Sequence, residues 1–146
     1  HALTALGRAV RWANPDPGAW AEDQPRHLDA PAATLSLRRR PLREPGGGQV
    51  SPAIVLWVAG NRPGAPVPSL GIPAEARVVR VEDAPGGARR LVSFGGEEAG
   101  LRALTLAHLE EGLVVAAACT GSATTWRVLE RECRAFLDSL AVEPAR

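Results

Sequence analysis

At 146 residues, with 45% hydrophobic content and a formal charge of +1, the chain has the length of one domain and can bury about two-thirds of its unfolded surface. The near-neutral balance argues against general nucleic-acid binding, which needs a concentrated basic surface, and no apolar run approaches the roughly 20 residues of a membrane-spanning helix. All 17 basic residues are Arg, a bias expected of a GC-rich genome, so a local arginine cluster is weak evidence for a ligand. With four Trp, two Phe and no Tyr, the core must be built from Leu, Val and Ala.

The chain begins at His1, which fits a trimmed chain, a tag remnant or a processed, lipid-anchored mature chain, and an extracytoplasmic location is expected slightly ahead of a cytoplasmic one. "RAVRW" (8–12) predicts a short strand leading into proline-punctuated turns at 13–20 and 23–31. In "AATLSLRRR" (32–40), Ala33, Leu35 and Leu37 fall on one face, and Thr34, Ser36, Arg38 and Arg40 on the other. That alternation marks a half-buried strand. A glycine-rich loop (44–49) precedes "AIVLWVA" (53–59), which is apolar on both faces and suits a central, doubly covered strand. Four prolines and three glycines in 60–73 leave no room for a helix of useful length.

Four further strands are predicted at 75–83, 88–95, 100–109 and 112–120. Their short links favour antiparallel neighbours. After Gly121 the pattern changes. A helix is expected over 123–139, capped by Ser122 or Thr124, with Trp126, Leu129, Cys133, Phe136, Leu137 and Leu140 in a stripe about 100° wide. The whole reads as an α+β domain over 1–146: an antiparallel sheet of about six or seven strands closed by a C-terminal helix.

Residues that could carry chemistry are few. Cys119 ends a strand and Cys133 lies on the helix stripe. They read either as two small buried thiols or as a strand-to-helix disulfide. The spacing is not that of a C-x-x-C redox site, and no ligand quartet suggests zinc. His1, His27 and His108 are dispersed; His27 reads as a surface residue and His108 as the polar end of a strand. Glu97 and Glu98 belong to a hairpin tip, where acidic residues are ordinary turn chemistry. "PGGGQ" (45–49) lacks the Lys and Ser/Thr of a phosphate loop and precedes a strand, failing the structural context of that motif. "RRRPLR" (38–43) reads as a solvated strand end before an acidic-partner site. Trp57 and Trp126 fall in core patterns, whereas Trp12 and Trp20 flank the proline turn, where they read either as a lid over the sheet edge or as a partly exposed aromatic recognition patch.

The order of parts resembles the PsbP/Mog-like superfamily. An early strand runs into a "P-x-x-W"-like turn (Pro17, Gly18, Ala19, Trp20). A strand meander follows, then "GLVVAAACTGSATTWRVLERECRAFLDSL" with its closing Asp138-Ser139-Leu140. The superfamily includes PsbP, Mog, DcrB-like lipoproteins and Eag-type secretion chaperones. Its members commonly place a helix between the early and late strands, which the prolines of 60–73 disfavour here. The resemblance implies a non-catalytic accessory or adaptor module without a cofactor, binding a protein partner and possessing no shared catalytic residues. From the residues themselves, Trp12, Trp20, Arg38 and Arg40 are the candidate binding residues, because aromatic and Arg side chains on loops held by a rigid scaffold are common recognition anchors. A small-ligand or lipid carrier, using a cavity between sheet and loops, is the alternative. An enzyme is disfavoured because no nucleophile, base and orienting group come together in the sequence.

Overall fold

A computed structural model describes residues 1–23, 33–45, 47, 49–61, 72, 76–83, 89–95, 100–110 and 112–144. Strands β1 (Ala2–Ala5), β2 (Arg8–Arg11), β3 (Trp20–Asp23), β4 (Ala33–Arg39), β5 (Leu42–Arg43), β6 (Gln49–Val50) and β7 (Ala53–Gly60) precede β8 (Arg77–Asp83), β9 (Arg89–Gly95), β10 (Leu101–Glu110) and β11 (Leu113–Ser122). Helix α1 (Trp126–Ser139) and β12 (Ala141–Pro144) follow. The main sheet has seven strands in the order β3-β4-β7-β11-β10-β9-β8, and its neighbours are antiparallel. The α+β class and the antiparallel meander therefore agree with the pattern of the sequence. The predicted turns at 84–87 and 96–99 and most of 60–73 lie outside the described residues.

The two central strands have both faces covered, as their unbroken apolar runs require. On one face, Leu35 and Leu37 of β4, Ile54, Leu56 and Val58 of β7, and Val115, Ala117 and Cys119 of β11 join one cluster with Leu104 and Leu106 of β10. Leu129, Cys133, Phe136 and Leu137 of α1 complete it. Each fully buried leucine is worth about 1.5–3 kcal/mol. On the opposite face Trp57, Ala59, Ala116 and Ala118 form a second cluster, against which Val55, Ile72 and Val114 pack.

The start of the helix departs from the pattern reading. β11 continues through Gly121 to Ser122, so α1 begins at Trp126 behind a turn. Its N-cap is Thr125, without a side-chain cap bond. The expected cappers serve another contact: the hydroxyls of Ser122 and Thr124 both donate to the carboxylate of Glu44. Gly121 is required by packing, because a Cβ there would overlap Cδ2 of Leu129.

A second sheet, β1-β2-β12, was not anticipated. Its first hairpin turns on Leu6 (φ 53°) and Gly7 (φ 72°), both left-handed, which is the geometry of a two-residue type I′ turn. Leucine is a poor signal for that turn. The chain then leaves α1 in extended conformation at Leu140, and β12 pairs with β2. Ser139 anchors this exit, accepting from the Ala13 N–H at 2.9 Å and donating to the Phe136 carbonyl at 2.6 Å.

Candidate binding surface

The four candidate binding residues do not form one surface. Trp12 and Trp20 are 6% and 2% exposed and belong to the main core, which corrects the reading of them as a partly exposed recognition patch. Trp12 stacks on His1 with centroids 4.4 Å apart and meets Phe136 of α1 at 6.2 Å. Trp20 is turned inward by a compact turn. Asn14 accepts from the Asp16 N–H and Asp16 from the Gly18 N–H, both at 3.0 Å, while the Asn14 amide donates to the Trp20 carbonyl. Prolines near a tryptophan suggest a surface loop, but this side-chain–backbone turn pairs the Asp16 and Gly18 amides and the Trp20 carbonyl, and it directs the indole into the core, where Nε1 has no hydrogen-bond partner among the described residues.

The arginine run divides by strand alternation. Arg38 is exposed and pairs with Asp23 at 3.0 Å, and Arg40 is exposed just beyond β4. Arg39, between them, faces α1 and makes a bidentate contact with Glu132 (Nε–Oε2 2.8 Å, Nη2–Oε1 3.0 Å). The hydrogen bonds that Arg39 donates to Glu132 raise its pKa against the opposing effect of burial. Arg39 is therefore a clamp between sheet and helix, and it had no distinct signal in "RRR".

Cys119 and Cys133 are joined in a disulfide, with Cα atoms 5.8 Å apart, so the two-free-thiols reading is corrected and the staple reading holds. Both residues are completely buried. His108 lies near the end of β10, as its sequence position suggests, and is likewise buried, at 4% exposure. Its Nε2 lies 3.0 Å from Oε1 of Glu110, whose Oε2 accepts from Arg8 at 3.0 Å. The His108 hydrogen bond, with that from Arg8, holds the Glu110 carboxyl below its usual range. The carboxylate ties β10 to β2 of the second sheet. His27, Glu97 and Glu98 lie outside the described residues, and among the described residues no group of three or more His, Cys, Asp or Glu is placed to hold a metal ion.

Three of the exposed apolar side chains gather on β8, while Leu6, Leu109 and Val128 lie elsewhere. Val78, Val79 and Val81 of β8 are 56%, 69% and 53% exposed. β8 is a terminal strand of the seven-stranded sheet, so among the described residues its outward backbone groups pair with no further strand, the condition for strand addition. Arg77 precedes the valines, Arg80 lies between Val79 and Val81, and both arginines are also exposed. Glu82 accepts from Arg134 of α1 at 3.1 Å, which together with Arg80 lowers its pKa. The opposite edge, β3, is only four residues long and its Asp23 is engaged by Arg38. Short length and charge are the usual means of blunting an edge; β8 keeps charge but exposes three valines as well.

No family model matches this chain, nor does any curated protein. The β8 edge had no distinct sequence signal: "RVVRVED" is a strand pattern whether the strand is central or terminal, and only the order of the sheet separates the two.

Proposed function

We propose that this chain is a non-catalytic accessory or adaptor module that binds a protein partner, and that it does so by accepting a strand of the partner along β8. The supporting observation is the exposure of Val78, Val79 and Val81 on a terminal strand. In strand addition, main-chain hydrogen bonds supply affinity and the alternating side chains supply selectivity. The resemblance of the strand-to-helix segment 112–140 to the PsbP/Mog-like superfamily supports an accessory role. The disulfide fits an oxidising, extracytoplasmic compartment. Arg38 and Arg40 are the competing surface.

The test is a photo-reactive amino acid placed at Val79 and, separately, at Arg40, in the native host. Protein adducts from position 79 support the reading. Adducts from position 40 alone move recognition to the arginine face, and adducts from neither position remove the proposal.

A further inference from the structure

We infer that the strand accepted by β8 is β8 of a second copy of this chain, paired antiparallel about a two-fold axis; this rests on the reading of β8 as a binding edge. The argument comes from its bulge. Val78 lies opposite Phe94 and Val81 opposite Val92 of β9, with a register shift between Val78 and Arg80. Phe94 and Val92 are two residues apart and share a face, so Val78 and Val81 share that face although they are three apart in the chain. By the same register Arg77 and Glu82, opposite Gly95 and Leu91, share the other face.

An isologous interface places each residue opposite its reciprocal. With Val78 against Val81 of the second copy, Arg77 falls against Glu82 of the second copy, and each of these pairs occurs twice. Both partners of these two kinds of pair lie on the same face, as one continuous sheet requires, and between them the bulged Val79 falls against Arg80 of the second copy. A bulge-free strand would place these same pairs on opposite faces, which would break that continuity. The valine pairs extend the apolar strip formed by half-buried Val92 and Phe94, and Arg77 adds a further cation to a Glu82 carboxylate already held by Arg134 and Arg80 of its own copy. Opposed apolar and opposite-charge pairs are the units that stabilise antiparallel sheets. Six paired residues span only about 20 Å, and an interface of that extent falls at or below the usual size of about 1,200–2,000 Å², so the dimer is reversible and its population rises with concentration.

Sedimentation velocity over a wide concentration range, with intact disulfide, should show a monomer–dimer equilibrium that Val78→Arg/Val81→Arg abolishes and Arg77→Glu shifts to higher concentration. Both valines are exposed, so the melting curve of the double variant should stay close to that of the parent. Register is tested by mild oxidation. A mixture of Val78→Cys and Val81→Cys proteins should form a cross-linked heterodimer, because opposed Cβ atoms lie about 4.5–5.5 Å apart, near disulfide reach. Val78→Cys alone should not, since its two copies are three positions, about 10 Å, apart. A dimer that survives Val78→Arg/Val81→Arg, or cross-linking in a different register, overturns the inference. A monomer at every concentration whose position 79 still captures a different protein overturns self-pairing and leaves the binding edge standing. A monomer with no capture at position 79 overturns both.

Discussion

Gly121 and Leu129 offer a joint perturbation of the strand-to-helix corner. Leu129 has no exposed surface, and its Cδ2 occupies the space that a Cβ on residue 121 would need. Leu129→Ala should cost about 2–5 kcal/mol, toward the upper part of that range because glycine has no side chain to fill the void. Gly121→Ala should cost about 1–3 kcal/mol through overpacking, although alanine suits a strand better than glycine does. The double variant places the new methyl where the leucine was, so its loss should be smaller than the sum of the single losses by about 1 kcal/mol or more, within the range found for touching residues. Urea denaturation of the four proteins gives the cycle directly. Strictly additive losses would refute the close approach of β11 and α1 at this point.

The disulfide spans a sequence separation of 14 residues, so Cys119→Ala/Cys133→Ala should lower stability by about 3 kcal/mol, roughly 6–12 °C in Tm for a chain of this size; an unchanged melt would remove the staple from the energetics. Trp20→Ala should destabilise by about 3–5 kcal/mol, as for other buried aromatics, whereas Arg38→Ala/Arg40→Ala should leave the melt nearly unchanged because exposed ion pairs contribute little; the reverse order would return Trp20 to the surface. The carboxyls of Glu82 and Glu110 are lowered, chiefly by hydrogen bonds from Arg134 and His108 respectively. Their contribution is complete above the ordinary carboxylate range and is lost as pH falls through the lowered values, so Glu82→Gln/Glu110→Gln should flatten the acid limb of a stability–pH profile; an unaltered limb would contradict these pairings.

Local periodicity made much of the fold legible. Leu35 and Leu37 alternate into the core, the runs in β7 and β11 are covered on both faces, and the stripe from Leu129 to Leu137 packs as the 3.6-residue period requires. What escaped depends on contacts distant in sequence. β1 and β12 have four residues each and gain their meaning only by pairing on either side of β2. β3 is a strand because Trp20 meets Arg39. The binding surface was harder still. Burial of Trp12 follows from packing beneath Phe136 near the other end of the chain, and exposure of β8 follows from its place in the sheet order. A composition that supplies arginine everywhere could not distinguish Arg39, clamped to Glu132, from its solvent-facing neighbours.

The central claim is that the outer edge of β8 is unpaired in the isolated chain and is filled on binding. Residue-resolved amide hydrogen exchange over residues 77–83 tests it most directly, comparing dilute protein with protein in its associated state. Alternate amides of β8, those directed away from β9, should exchange freely in the dilute sample and become protected on association, while the amides of β11 stay protected throughout. Outward amides already protected in the dilute monomer, or equally fast in both states, would contradict the account.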